Sequence, residues 1–285
     1  MEAPGRIWFG YIAAVGIAVI GLITLDPLAF GLAVAVLVAT VLGERYRGRQ
    51  IALAAAAQDP DLPELVARWA RGWAYARGCP RPATVPGGVR VEVGQPGRQV
   101  EWVATDGADT LAGLVDSARA TPEAWLSVVT ESPAGVRPWL VEAGLVTDDR
   151  EEALMSIDLA DHASRELPEG YRAEVERDGG VITVTVRAGE AAAADGTIAV
   201  IGTDAVADRI RTDPDHRRRG LGGAVMSLLV AAAREAGAGH GLLVASEMGE
   251  PLYAGLGWRA EARLVTARSP APDTSVESRR GQREL

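Results

Sequence analysis

The chain has 285 residues, of which 48% are hydrophobic, so its size and composition allow a large core in one large or two small domains. A formal net charge of −9 argues against a nucleic-acid binder, which needs a basic face. The single cysteine, Cys79, excludes an internal disulfide, and the three scattered histidines lack the spacing of a zinc site, so no metal is expected.

The N-terminal segment predicts a membrane anchor. Residues 7–25 carry no charge and would form a helix of ~28 Å, close to the thickness of the hydrocarbon layer. Residues 28–42 are also apolar but are short for a full crossing. Arginines precede and follow these two segments, so the positive-inside rule places both ends in the cytoplasm. We therefore predict a transmembrane helical hairpin in residues 1–50, with membrane contact through residues 7–42.

A single span or cleaved signal peptide, and a helical hairpin in solution, are the alternatives for this segment. The lone Arg6 and the second apolar run fit a signal peptide poorly. With an inserted hairpin, the rest of the chain is expected on the cytoplasmic side of the cell membrane. Without insertion, the protein is expected in the cytoplasm.

Residues 51–78 are predicted to form an amphipathic helical connector. Within it, Leu65, Trp69 and Trp73 share one helical face, and arginines occupy the other. This tryptophan stripe is expected to pack on the domain that follows. Residues 78–88 are rich in glycine and proline and mark the clearest boundary in the chain.

After this boundary the sequence alternates strand and helix patterns. Residues 189–196 are expected to be a mobile loop of small residues, and residues 270–285 a disordered tail. The helices are expected at residues 109–120 and 221–236. The strands are expected at residues 89–93, 99–104, 126–131, 152–159, 172–175, 181–187, 197–201, 205–212, 241–246 and 259–267.

A glycine-rich turn lies between the strand at 205–212 and the helix at 221–236. Residues 217–223 read RRRGLGG. A helix start leaves backbone N–H groups unpaired at the positive end of the helix dipole, and glycines let a phosphate approach them. Five arginines within residues 209–219 of an acidic chain favour a polyanionic ligand. The chain has no lysine, so this is not a Walker loop, and the segment predicts a pyrophosphate site.

Two motifs carry a resemblance to a known family. The pattern Arg217-x-x-Gly220-x-Gly222 resembles the acyl-CoA loop of the Gcn5-related N-acetyltransferase (GNAT) superfamily, which follows a strand. Residues 250–258 (EPLYAGLGW) resemble the family's second signature, a helix with Tyr-x-x-Leu-Gly-Trp/Phe that leads into the last strand. The resemblance implies an α/β (α+β) fold, with a mixed twisted sheet flanked by helices, and acetyl-CoA as the acyl donor.

The chain also resembles a tandem of two related halves. Residues 126–131 and 138–145 parallel residues 242–247 and 251–258. The predicted halves are residues 84–160 and the acetyltransferase domain at residues 166–269. The first half lacks the glycine turn and has Leu140 in the place of Tyr253, so we expect it to complete the sheet or wall the substrate cleft. An unrelated α/β cap is the alternative.

The resemblance also implies roles for individual residues. Tyr253 matches the family's general acid, which protonates the leaving thiolate; the alternative is a packing tyrosine. The general base is open between Asp208 and Glu247, because Val206 stands where the family often has a glutamate. The expected acyl-CoA-binding residues are Ile210, Arg211, Thr212, Arg217, Arg218, Arg219, Gly220, Leu221, Gly222 and Gly223.

These motifs predict an N-acetyltransferase that transfers acetyl from acetyl-CoA to a primary amine of a small molecule or peptide. The alternative is a non-catalytic acyl-CoA-binding module that regulates a partner at the membrane. The sequence specifies neither the acceptor amine nor the oligomeric state.

Overall fold

The computed structural model describes residues 61–107 and 110–270. Its five α-helices in these ranges are α1 (Leu62–Ala76), α2 (Leu111–Ala120), α3 (Pro133–Glu142), α4 (Leu221–Glu235) and α5 (Glu250–Ala254). The strands are β1 (Ala83–Val85), β2 (Gly88–Gln95), β3 (Arg98–Thr105), β4 (Ala124–Thr130), β5 (Val146–Thr147), β6 (Glu152–Asp158), β7 (Arg172–Asp178), β8 (Val181–Ala188), β9 (Ala191–Ile201), β10 (Asp204–Thr212), β11 (His240–Ser246) and β12 (Arg259–Arg268).

All these strands belong to one sheet. Its order is β1-β2-β3-β4-β12-β6-β11-β10-β9-β8-β7, and β5 pairs with β12 at the side of this path. The β3–β4 and β10–β11 pairs are parallel, and the other pairs are antiparallel. The predicted α/β fold, a mixed sheet flanked by helices, is therefore confirmed.

The centre of the sheet is formed by two strands that are far apart in sequence. β6, from the first predicted half, lies between β11 and β12, which both belong to the second half. β12 lies between β4 and β6, which both belong to the first half. On either side of this central pair, a hairpin leads into a parallel pair joined by a helix: β2-β3-α2-β4 on one side and β9-β10-α4-β11 on the other. The predicted division into residues 84–160 and 166–269 therefore runs through a continuous sheet.

The two faces of the sheet carry separate cores. On one face α1 packs its tryptophan stripe against residues of both predicted halves, including Val91 and Val206. Gly72 brings α1 very close to β10, because a Cβ atom at this position would lie 2.2 Å from a methyl carbon of Val206. On the other face α4 packs against β8, β9 and β10. The predicted packing role of Trp69 and Trp73 is confirmed.

The prediction of a loop at residues 189–196 is wrong, because β9 begins at Ala191 and pairs with both β8 and β10. Small residues have weak intrinsic strand preference, but packing overrides it here. Ala193 and Ala194 are buried, and a Cβ atom at Gly196 would lie 2.5 Å from a side-chain carbon of Ile210. Small residues are thus required where α4 covers the strand.

The predicted hairpin at residues 7–42 and the predicted tail at residues 270–285 fall, except for Pro270, outside the residues that the structure describes. Within residues 61–107 and 110–270, no helix is long and apolar enough to cross a membrane.

Candidate active site

The parallel strands β10 and β11 come apart part-way along their length. Their pairing runs from Asp204 opposite His240 to Ala207 opposite Leu243 and ends there. A β-bulge between Asp208 and Arg211 shifts β10 against β9, and Arg209 adopts a positive φ of 55° inside it. The edge of β10 that faces β11 therefore has backbone groups beyond Ala207 that the neighbouring strand does not pair with, and a ligand can use them.

The glycine turn lies beside this opening. α4 begins at Leu221, and its N-cap residue Gly220 has φ 81°, a left-handed conformation that favours glycine. Gly220 provides no capping side chain, and the first N–H groups of a helix have no acceptor within it. These donors and the positive end of the helix dipole suit a phosphate group.

A cavity of about 970 Å³ connects these features. The start of α4, the end of β10, a segment of β9 and helix α5 form its walls. All the predicted acyl-CoA-binding residues line it except Arg219, whose guanidinium donates hydrogen bonds to the Tyr171 hydroxyl at 3.2 Å and to the Asp215 carbonyl at 3.0 Å. These residues line the cavity: Ile210, Arg211, Thr212, Arg217, Arg218, Gly220, Leu221, Gly222 and Gly223.

The arginines of the turn differ in their partners. Arg211 forms an ion pair with Asp195 at 2.6 Å, which neutralises its charge. Arg217 donates a hydrogen bond to the Thr212 carbonyl at 3.3 Å, so its charge remains available at the cavity wall. Arg218 has φ 59° and lines the cavity. Arg217 and Arg218 are therefore the cations placed to attract an anion.

Tyr253 lies on α5 and lines the same cavity. Its side chain is buried, which together with the nearby Asp208 carboxylate raises its pKa to about 12. Tyr253 is thus a neutral phenol that can donate a proton at physiological pH. It also packs edge-on against Trp258, with ring centroids 6.4 Å apart, so the acid role and the packing role are compatible.

The two candidate bases occupy different positions. Asp208 reaches the opening on the α1 face, where the Arg77 guanidinium donates to both of its oxygens at 2.8 and 2.9 Å. Arg209 lies 3.4 Å from the same carboxylate. Glu247 is exposed just after β11 and lines neither this cavity nor the one described next. The structure thus brings Asp208, but not Glu247, to the opening.

A second, smaller cavity of about 130 Å³ lies on the α1 face of the same opening. Ala207, Asp208 and Val244 contribute to its wall, so it adjoins the point where β10 and β11 come apart. Sequence reasoning missed this cavity. The remaining lining residues are Trp69, Trp73, Arg77, Arg98, Glu101, Trp125, Ser127, Arg150, Glu152, Leu264 and Thr266.

One local signal for the second cavity was available in the sequence. Glu101 is the only charged residue in the run from Val100 to Ala104, and it is fully buried in the structure. Its carboxylate accepts hydrogen bonds from Arg98 at 2.7 Å and from the Ser127 hydroxyl at 2.7 Å. A charge inside a buried strand usually has a specific partner or a function. In residues 61–107 and 110–270, no group of carboxylates, histidines or cysteines is placed to hold a metal ion.

A mixed sheet that opens beside a glycine-turned helix start fits the acyl-CoA-dependent acyltransferase that the two sequence motifs resemble. Comparison with known proteins agrees with this class. The family described as "Acetyltransferase (GNAT) family" matches residues 151–258. This segment is therefore a GNAT acetyltransferase domain, and the protein is an acyltransferase. The GNAT family uses acetyl-CoA as a cosubstrate.

The chain is similar to several solved structures, and the first described here shares its fold. A GCN5-related N-acetyltransferase from Kribbella flavida is 19% identical, with a TM-score of 0.56 over 74% of this chain and 97% of that protein. A putative GNAT acetyltransferase from Novosphingobium aromaticivorans is 18% identical, with a TM-score of 0.49 over 74% of this chain and all of that one. A GCN5-related N-acetyltransferase from Ralstonia eutropha is 32% identical over 29% of this chain and 61% of that protein, with a TM-score of 0.28. No curated protein matches the chain.

Proposed function

We propose that the protein is an N-acetyltransferase that transfers the acetyl group of acetyl-CoA to a primary amine by direct attack, with Tyr253 as general acid. The observation that carries this proposal is the end of β10–β11 pairing after Ala207, beside the glycine turn and the cavity of about 970 Å³. A thioester needs such an opening to lie within reach of an attacking amine.

The cavity accommodates the parts of acetyl-CoA in sequence. The pyrophosphate is bound by the N–H groups at the start of α4, with Arg217 and Arg218 adding charge. The pantetheine arm runs along the unpaired edge of β10 at Ile210 and Thr212 and donates and accepts hydrogen bonds there. The thioester then lies at the opening near Tyr253.

The reaction requires two proton movements besides the transfer itself. The neutral amine nitrogen forms a bond to the thioester carbonyl carbon, and the carbon–sulfur bond then breaks. The leaving thiolate takes the phenol proton of Tyr253, and the proton lost by the attacking nitrogen restores the phenol. An acceptor that arrives as an ammonium ion must first lose one further proton to solvent or to a carboxylate. The products are an N-acetylated amine and CoA.

The Asp208 carboxylate already has a cationic partner in this arrangement. Both of its oxygens accept hydrogen bonds from Arg77. Glu247 remains a candidate only if the segment after β11 moves.

The test is acetyl-CoA binding by the full-length protein in detergent, measured by calorimetry, together with CoA thiol release across a panel of primary amines. We expect binding at one site per chain and thiol release that depends on the amine. A complete lack of acetyl-CoA binding would refute the assignment of the large cavity.

One observation favours the alternative of a non-catalytic acyl-CoA-binding module. The carboxylate on β10 is held in ion pairs, and Val206 occupies the position where the family often has a glutamate. Tight acetyl-CoA binding without thiol release on any amine of the panel would support this alternative.

We also propose that the domain is tethered to the cytoplasmic face of the membrane through residues 7–42, and that residues 84–160 and 166–269 are related halves. The first proposal rests on the apolar sequence and is tested by the sedimentation of the full-length protein with membranes. The second is supported by the equal order of hairpin, parallel pair and connecting helix on the two sides of the β6–β12 pair.

A further inference from the structure

The smaller cavity combines elements that are distant in sequence. α1 contributes Trp73, the first predicted half contributes Glu101 and Trp125, and β10 contributes Asp208. A purely structural first half has no need of a buried carboxylate in a cavity wall, because burying a charge costs free energy. This composition indicates a ligand site to which both predicted halves contribute.

The cavity wall carries three arginines and three carboxylates, and all of them except Glu152 form ion pairs. Arg77 pairs with Asp208, and Arg98 pairs with Glu101. Arg150 pairs with Asp148, which lies outside the wall. The wall therefore has one remaining carboxylate, Glu152.

Glu152 faces this cavity from the first position of β6. Among residues 61–107 and 110–270, no side chain or backbone group forms a hydrogen bond or ion pair with its carboxylate. Burial raises the pKa of Glu152 even though the charges of the nearby Arg150 and Arg98 act to lower it, so the carboxylate lacks full compensation for its burial. A cation placed in the cavity would provide that compensation.

The aromatic residues shape the cavity without binding the ligand cation themselves. The guanidinium carbon of Arg98 lies 5.1 Å from the Trp73 ring centroid and 4.8 Å from that of Trp125. Arg77 lies 4.9 Å from the Trp73 centroid. The rings of Trp73 and Trp125 thus each already have an arginine as a cation–π partner. The anchor for a further cation is Glu152.

The position of Glu152 relates this site to the proposed acyl transfer. In the β6–β11 register Glu152 is directly opposite Ser246, which lines the large cavity. Directly opposed residues of antiparallel strands have neighbouring side chains. Val244 and Asp208 line the small cavity on either side of the opening. A group held by Glu152 therefore lies across the opening from the thioester.

We propose that the small cavity binds the ammonium group of a small primary amine through an ion pair with Glu152, and that the amine then attacks the thioester through the opening between β10 and β11. This inference rests on the proposed acetyltransferase function. The substrate class is a slender aminoalkyl compound, because about 130 Å³ leaves no room for a folded protein terminus. Glu152 also takes the first ammonium proton and passes it to solvent.

The experiment compares three variants of the full-length protein with the wild type. Glu152→Gln removes the charge, Glu152→Asp keeps it, and Glu151→Gln removes the charge of the adjacent exposed residue as a matched control. Four quantities are measured: binding of n-butylammonium chloride without acetyl-CoA, the acetyl-CoA Kd, and the KM and kcat for the most active amine of the panel.

We expect Glu152→Gln to weaken n-butylammonium binding and raise the amine KM by at least ~10-fold, since a charged hydrogen-bond partner is lost. The acetyl-CoA Kd should not change, Glu151→Gln should behave as the wild type, and Glu152→Asp should recover part of the loss. The recovery by Glu152→Asp distinguishes a binding role from misfolding.

Equal n-butylammonium binding by the wild type and Glu152→Gln would overturn the inference, as would a loss of the same size in Glu151→Gln. Failure of the wild type to bind acetyl-CoA would instead refute the proposed function. The n-butylammonium measurement still tests the small cavity in that case, because it contains no acetyl-CoA.

Discussion

Two parallel strand pairs in this protein have the same topology but differ in how far their pairing extends. β3 and β4 remain paired from Val100 opposite Ala124 to Thr105 opposite Val129. β10 and β11 stop pairing after Ala207 opposite Leu243. Both pairs are joined by a helix and followed by a second helix, α3 or α5. In the part of the chain that the structure describes, the β10 and β11 strands separate beside the start of their connecting helix, and β3 and β4 do not.

Local chain geometry explains the difference. The bulge at Asp208–Arg211 moves β10 away from regular pairing, and Gly220 turns the chain sharply into α4. In the first predicted half, the N-cap residue of α2 is Thr110, whose φ of −92° is not left-handed. A common topology therefore provides the framework, while a bulge and a glycine turn make the ligand site.

The largest expected effect comes from placing a negative charge at the start of α4. Gly222→Asp directs a carboxylate at the site proposed for the pyrophosphate, and like charges at close range cost several kcal/mol. We expect the acetyl-CoA Kd, measured by calorimetry, to rise ~1000-fold. Stability should change little, since the new Cβ would lie 3.0 Å from the end of the exposed Leu252 side chain, which can shift. A carboxylate in the first turn also interacts favourably with the helix dipole.

Ala112→Asp is the matched control, because Ala112 is the second residue of α2 as Gly222 is of α4. We expect it to leave the acetyl-CoA Kd unchanged. A similar loss in both variants would mean that the two helix starts do not differ in ligand binding.

The next effect concerns the proposed acid. Tyr253→Phe removes the phenol proton while keeping the ring that packs on Trp258. We expect kcat to fall ~100-fold, a typical contribution of general acid catalysis, with little change in the acetyl-CoA Kd. Steady-state kinetics on the most active amine measure this. Tyr75→Phe, on α1, is the control for loss of a phenol elsewhere, and an unchanged kcat in Tyr253→Phe would remove Tyr253 from the mechanism.

A pH titration examines the same residue without turnover. The pKa of Tyr253 is raised from 10.0 to about 12, so the folded protein favours the neutral phenol. The contribution of the neutral Tyr253 phenol to the free energy of unfolding is complete below pH 10 and is lost as the pH rises through 12. The tyrosinate absorbance of the wild type minus that of Tyr253→Phe should therefore rise near pH 12. A rise of this difference near pH 10 would contradict the burial of Tyr253.

The smallest expected effect is the change in the free energy of unfolding when helix glycines are replaced by alanine. Gly72→Ala places a methyl group against Val206 where α1 meets β10, so overpacking should lower the free energy of unfolding by ~1–3 kcal/mol. Gly135→Ala, in α3, meets open space and should raise it by up to ~1 kcal/mol. Urea unfolding of both variants measures the difference, and equal stabilities would show that α1 does not approach the sheet as closely as described.

Sequence patterns predicted the parts of the site that are local in the chain. The strand before the glycine turn, the helix after it and the placement of Tyr253 on α5 depend on motifs within residues 205–258. The role of Glu152 could not be predicted in this way, because it depends on β6 pairing with β11, about ninety residues further along. The prediction of a loop at residues 189–196 was wrong for a related reason. Packing against α4, which lies further along the chain, determines that these small residues belong to β9.

The central claim is that acetyl-CoA binds where β10 and β11 come apart and not at the corresponding place between β3 and β4. Hydrogen exchange of the full-length protein, followed by mass spectrometry with and without acetyl-CoA, tests it most directly. We predict slower exchange in the peptides that cover Ile210–Thr212 and Gly220–Gly223, with no change at the end of β3 or the start of α2. Unchanged exchange at the start of α4, or protection at the start of α2, would contradict the claim.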